Sequence, residues 1–259
     1  MKSILNFCVA SLALCTASAV GAATVTTVSP HTLFDLSHFK LTLPVNSLGG
    51  TAGTAHTIRS KQLNSSSGYF SDYFYTDSNG AMVFHAPSNG ASTSPGSGSD
   101  HTRSELREEY NVGGKTEWTN RVGGTLSARL RVNKVALKSD EAVIAQIHGL
   151  AEMMLLLAYN PLTQNIELKL YDTPTSTRST LHILASNVRL GAAIRYRIQW
   201  IGSSLSVTVN QRVSNYAVSP SWDNVPVYFK AGAYHAVKNT GNAVGDATKV
   251  SFYELNIQH

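Results

Sequence analysis

The sequence predicts an all-β protein: an antiparallel β-sandwich or jelly roll with a concave groove for a substrate. Three observations lead there. Short runs rich in β-branched, aromatic and leucine residues recur along the chain, each bounded by Gly, Asn, Ser or Pro. No stretch of useful length places apolar residues at helical spacing. No internal repeat or linker divides the chain, so the strands read as one unit.

The first 22 residues, MKSILNFCVASLALCTASAVGA, are set aside before the fold is considered. An early lysine, an apolar stretch and the small residues Val20-Gly21-Ala22 read as a secretion signal cut after Ala22, so the protein is expected to be secreted and extracellular. The apolar part is too short and too interrupted to span a membrane. Cys8 and Cys15, the two cysteines of the chain, both fall within the signal. Residues 23–259 therefore carry no disulfide and no cysteine-ligated metal, and the core must supply the stability. About 237 residues suit a single large β domain. The formal charge of +5 falls to about +4 once Lys2 is removed, a mild excess that suits an acidic ligand.

Along the mature chain, FDLSHFKLTLPV (34–45), AMVFHAP (81–87) and TLSARLRVNKV (125–135) read as strands. So do EMMLLLAYN (152–160), NIELKLYD (165–172) and LHILASNV (181–188). RYRIQWIGSSLSVTVNQ (195–211) reads as a hairpin turning at Gly202-Ser203, and KVSFYELNIQ (249–258) closes the chain. Three polar, Gly/Ser-rich loops interrupt the strands at 88–100, 172–180 and 236–248. Such loops are either lids over a groove or surface slack.

Three further runs have unusual polar faces. In VIAQIHGL (143–150) alternation hides the odd positions and puts Gln146 and His148 on one face. In RSELREEY (103–110) Arg103, Glu105, Arg107 and Glu109 share a face. That pattern is either a solvated charge ladder or a set of arginines oriented by carboxylates towards an anionic ligand. In YFKAGAY (228–234) Tyr228, Lys230, Gly232 and Tyr234 oppose Phe229, Ala231 and Ala233. Gly232 is expected to leave room for a ligand beside the Tyr234 phenol.

Taken together, RSELRE, QIH and YFKAGAY resemble the three signature blocks of the alginate lyases of polysaccharide lyase family 7. HFKLTLPV and FYELNIQH resemble that family's terminal strands, so the likeness covers nearly the whole mature chain. One departure is His235-Ala236, where the family often has a polar pair such as Asn-Gln.

The resemblance implies β-elimination on a 4-linked uronate polymer by a monomer acting on alginate, with no nucleic-acid or membrane partner. It implies that Arg103, Gln146 and His148 neutralise the uronate carboxylate, so that the C5 proton can leave without building up an unscreened dianion. Tyr234 is implied as the proton-transfer residue, with cationic neighbours such as Arg103 or Lys230 needed if it is to act as a base. His148 is the alternative base for the opposite C5 epimer. Glu105, Arg107, Tyr228 and Lys230 are implied as substrate-binding or supporting residues. No metal and no cofactor is expected, since the elimination needs none. In that family isoleucine at the centre of QIH is often associated with guluronate-containing substrates and valine with mannuronate; Ile147 faces the core, so the lean towards guluronate is slight and mannuronate blocks stay open.

Two other classes fit parts of the pattern. A glycoside hydrolase needs two positioned carboxylates, and each carboxylate of RSELREEY has an arginine neighbour that would keep it ionised. A non-catalytic sugar-binding module explains a tyrosine stripe but not the company of His148 and Tyr234. Within the lyases, another polyuronate such as glucuronan is the rival substrate.

Overall fold

The computed structural model describes residues 28–95, 99–110, 115–149, 153–238 and 245–259. The expected signal at 1–22 lies outside the described residues, as do 96–98 and 239–244 of two of the loops.

Sixteen strands carry the described chain: β1 (Phe39–Thr42), β2 (Thr57–Ile58), β3 (Phe74–Thr76), β4 (Met82–Pro87), β5 (Ser92–Ser94), β6 (Ser99–Glu108), β7 (Gly124–Lys134), β8 (Ala142–Gly149), β9 (Met153–Asn160), β10 (Asn165–Tyr171), β11 (Ser179–Ala185), β12 (Ala193–Ile201), β13 (Ser204–Val209), β14 (Arg212–Ala217), β15 (Val227–Lys238) and β16 (Ala247–Gln258). A single short helix, α1 (Ser60–Leu63), and two 3-10 turns are the helical structure among the described residues. A nine-stranded sheet runs β11-β10-β9-β8-β15-β6-β1-β2, with β5 on β6, and a seven-stranded sheet runs β14-β13-β12-β7-β16-β4-β3. All strand pairs are antiparallel, as the sandwich expectation requires.

The alternation that predicts these strands is what packs them. β12 buries Ile194, Tyr196, Ile198 and Trp200 and exposes Arg195 and Arg197 between them. Facing residues of the other sheet, among them Ile144, Ile147, Leu155, Leu157 and Phe229, complete a shared core. Trp118 reaches into it against Trp200 and Phe229, with ring centroids 5.7 and 4.9 Å away. The Trp118 indole donates to the buried carboxylate of Glu108, which also accepts from the Phe229 backbone N–H at 2.8 Å and from His259. A buried polar group is tolerated here because its hydrogen bonds are made.

Three expectations are corrected, and a fourth is extended. The run 34–45 is a strand only over Phe39–Thr42: Pro30 opens a 3-10 turn, and the Asp35 carboxylate accepts from the Ser37 N–H to fix a further turn before the sheet is joined. The loop at 88–100 is shorter than expected because Ser92–Ser94 pairs with β6, and β6 itself begins at Ser99. The loop at 172–180 loses Ser179 and Thr180 to β11, where they pair with Tyr171 and Leu170. The hairpin over 195–211 forms as expected and continues into β14. The Asn210–Gln211 turn between β13 and β14 takes positive φ at both residues, 46° and 75°, the conformation that suits a two-residue hairpin.

Candidate active site

β6, β8 and β15 are neighbours in the nine-stranded sheet, so the three polar faces merge into one. Tyr234 lies opposite Arg103, Lys230 opposite both Arg107 and Gln146, and Tyr228 opposite His148. Every expected site residue is brought to this face.

At its centre is Glu105, 1% exposed. One carboxylate oxygen accepts from Lys230 Nζ at 2.5 Å and lies 3.4 Å from Arg103 Nη1; the other accepts from Gln146 Nε2 at 2.5 Å. Burial alone would raise the Glu105 carboxyl, but Lys230 and Arg103 outweigh it and hold it below the usual range. Burial, helped by Arg103, pushes Lys230 down to about 8 against the pull of Glu105. The charge ladder of RSELRE is thus a buried orienting device. It presents Arg103 and Lys230 in fixed positions and places Glu105 underneath them, as a support and not as a surface contact. Gln146 lies deeper than the resemblance implies. It is 1% exposed, and its nitrogen is engaged by Glu105.

His148 and Tyr234 flank this array. The His148 ring stacks on Tyr228 with 14° between planes, and its Nδ1–H donates to the Gly149 carbonyl. Burial, with Lys230 nearby, pushes the ring down to about 4, so it is neutral at neutral pH. With the proton on Nδ1, Nε2 is the nitrogen left to accept one. Arg107 sits over the Tyr228 ring at 3.8 Å and is tied to Glu117 at 2.5 Å.

Tyr234 has the Arg103 guanidinium over its ring at 4.4 Å. Burial nevertheless pushes its hydroxyl up to about 12, beyond what Arg103 offsets. The expected cationic activation therefore fails: Lys230 is held by Glu105, and the small apolar cluster of Val143, Leu156 and Ala158 packs beside Tyr234. Val143 belongs to the core by strict alternation. An irregular register between Val143 and Ala145 turns it to the open face, while Ile144 and Ala145 both stay in the core.

Gly232 is also reinterpreted. A Cβ there would lie 2.5 Å from the Ser104 carbonyl and 2.7 Å from Glu105 Cα. The missing side chain admits the neighbouring strand β6, not a ligand.

One functional residue escapes sequence reasoning. His101 Nδ1 lies 2.8 Å from the Tyr234 hydroxyl oxygen. Its only signal was its parity with Arg103, two residues on. His235, on the reverse side of β15, is fully buried, and neither ring nitrogen has a hydrogen-bond partner among the described residues. Burial pushes its ring down to about 4.

Comparison with known proteins gives one answer from three directions. Residues 34–259 match the family profile described as "Alginate lyase". An alginate lyase of Klebsiella pneumoniae is 28% identical over 292 aligned positions, covering 89% of this chain and 91% of that one. The crystal structure of alginate lyase A1-II′, a member of polysaccharide lyase family 7, superposes with a TM-score of 0.76 at 26% identity, over 89% of this chain and 98% of that one. An alginate lyase from Pseudomonas aeruginosa gives 0.75 at 28% identity, over 87% and 99%. Variants of A1-II′ have been crystallised with a product, GGG, and with a substrate, GGMG.

Proposed function

The chain belongs to the alginate lyase family, a polysaccharide lyase, and from that premise we propose that its residues 23–259 form one catalytic domain that cleaves alginate by β-elimination at the face built by β6, β8 and β15. The observation that carries this reading is the fixed array of Arg103 and Lys230 on the buried Glu105 carboxylate. Preorganised cations of this kind stabilise the charge that develops on a uronate carboxylate when C5 loses its proton. Gln146 supports the set from below by donating to the other Glu105 oxygen.

The proton steps follow from the two flanking groups. His148 is neutral with Nε2 as acceptor, which suits the base that takes the C5 proton. Tyr234 keeps its proton, which suits the acid that delivers it to the departing O4. For the opposite C5 epimer Tyr234 serves as base: its phenolic proton passes to His101 Nδ1 as the phenol oxygen takes the proton from C5, and the phenol then hands that proton to the departing O4 and recovers its own from His101. The C5–H electron pair forms the C4=C5 double bond, and the C4–O4 bond breaks with its pair on oxygen. The product end is unsaturated, and no added metal is required.

Attack is endolytic in this reading. Lys40, Arg107, Lys230 and Lys169 lie on one line across the strands, joined through Gln146 and Leu156 by direct register. Five strand spacings make that line about 24 Å long, which suits a polymer lying across the sheet. The signal-like segment 1–22 supports secretion, and Ile147 in QIH supports activity on guluronate-containing regions. The test is to incubate the protein with alginate in the presence of a chelator, following ultraviolet absorbance and viscosity together. Absorbing ends with an early viscosity drop are expected. Alginate left intact would sink the reading, and absorbance without viscosity loss would sink the endolytic part.

A further inference from the structure

The site face is nearly neutral by pairing. Lys40 is bound to Glu109, Arg107 to Glu117, Lys230 to Glu105 and Lys169 to Glu141. The outward face of the seven-stranded sheet, on the far side of the core, is different. β7 presents Arg129, Arg131 and Lys134, β12 presents Arg195 and Arg197, and β16 presents Lys249. Among the described strand residues of that face Glu254 is the one carboxylate, bound to Arg129 at 2.6 Å and Arg195 at 3.2 Å.

The register makes this arrangement costly. Arg195 lies directly opposite Arg129, a pair that Glu254 bridges, but Lys249 lies directly opposite Lys134 with no carboxylate bound to either among the described residues. Like charges placed directly across a strand pair destabilise a sheet. A merely soluble face would intersperse its signs. Lys134 and Lys249 also help depress the neighbouring His85, after its burial, so the field of the patch is felt by its own residues. Aromatic rings interleave the cations: Arg129 and Arg131 lie 5.0 and 6.0 Å from the Tyr253 ring, and Lys249 5.5 Å from Tyr75. Beside Tyr253 a groove of about 620 Å³ opens, lined by Leu33, Asp35, Ser127, Arg195 and Asn256.

We propose that this face is a second, non-catalytic binding surface for anionic polysaccharide, and that its ligand is the same polyuronate the enzyme cleaves. The choice of ligand rests on the alginate lyase reading. The surface itself rests on the unmatched cations, the half-buried tyrosines Tyr75 and Tyr253 and the adjacent groove. Rings that stack on sugars and guanidinium groups that bind carboxylates are the two chemistries an acidic polysaccharide offers. Bound there, one stretch of polymer keeps the enzyme on its substrate while another crosses the catalytic face, which raises the effective concentration of cleavable chain.

The test compares the full chain with Arg131→Gln/Arg197→Gln/Lys249→Gln, two exposed arginines and a half-buried lysine with no carboxylate partner among the described residues. Both are run by electrophoresis through gels with and without embedded alginate, in a Tyr234→Phe background so that the polymer survives. About tenfold more alginate is expected to be needed to retard the triple variant equally, since three surface charge contacts contribute a small factor each. In the Tyr234-intact enzyme, kcat/KM on long alginate falls similarly at low salt, while cleavage of short oligosaccharides is unchanged. Equal retardation of both proteins overturns the proposal. So does equal retardation of the parent by polyacrylate, because charge alone would then explain it. Failure of both proteins to cleave short oligosaccharides would sink the lyase reading and the choice of ligand with it.

Discussion

His101 and Tyr234, far apart in the chain, meet on the open face of β6 and β15, with 2.8 Å between the imidazole Nδ1 and the phenol oxygen. The contact gives a buried phenol, pushed up to about 12, a partner able to hold its proton. His101 acts through Tyr234, so replacing it should lower kcat with little effect on KM. We expect His101→Ala to lose about 10- to 100-fold in kcat, the scale of assisted proton transfer, with partial recovery on adding imidazole. The loss should be greater on the block polymer for which Tyr234 is the base. A change in KM alone, with no imidazole rescue, would reduce His101 to a packing residue.

Tyr234→Phe removes one hydroxyl and leaves the ring under Arg103. Turnover should fall by at least about 10²-fold, with oligosaccharide affinity nearly intact by calorimetry. An enzyme retaining a tenth of its turnover would not use Tyr234 for proton transfer.

Glu105→Gln leaves Arg103 and Lys230 buried together without their carboxylate. Removing one partner of a buried ionic cluster costs about 3–5 kcal/mol, so a clear fall in the midpoint of urea unfolding is expected. Lys230 should also release its proton more readily in this variant. The activity of whatever folds would then decline at lower pH than in the parent.

The pH profile of kcat/KM should be broad. Below about 4 His148 becomes charged and can no longer accept a proton, and above about 8 Lys230 loses the charge that meets the substrate carboxylate. Activity is therefore expected to persist well below the ordinary histidine range near 6.5 and to decline on the alkaline side. An acid limb centred near 6.5 would exclude His148 as the base.

His235 is held neutral in the fold at a pKa of about 4. Because its folded value lies below its unfolded one, stability is fully present above the unfolded value near 6.5. It is lost progressively as pH falls towards 4. His235→Leu removes two buried, unpartnered ring nitrogens. Its melting temperature should rise relative to the parent at pH 5 by more than at pH 8.

Much of this was legible because strands write their faces into the sequence at period two. RSELRE, QIH and YFKAGAY each announced a polar face, and pairing put the three side by side. The details that escaped arise where period two breaks or where partners are remote. Val143 joins the open face because β8 carries an irregularity beside it, which no local pattern marks. The depth of Glu105 was hidden because a charge ladder reads the same whether it faces water or other side chains. His101 was missed since its meaning depends entirely on a tyrosine that only the β6–β15 pairing supplies. The Tyr234 hydroxyl moves opposite to expectation because burial, which a sequence does not display, outweighs the nearby guanidinium.

Gly232 holds a further consequence for anyone wishing to retool this enzyme. Any substituent there meets the main chain of β6, not a yielding side chain, and would wedge apart the two strands that carry Arg103 and Tyr234. A saturation library at this codon should return glycine alone under selection for activity. Productive diversity must be sought elsewhere, in the loops bordering the face. This close approach of two strands thus divides the catalytic surface into a part open to engineering and a part closed to it.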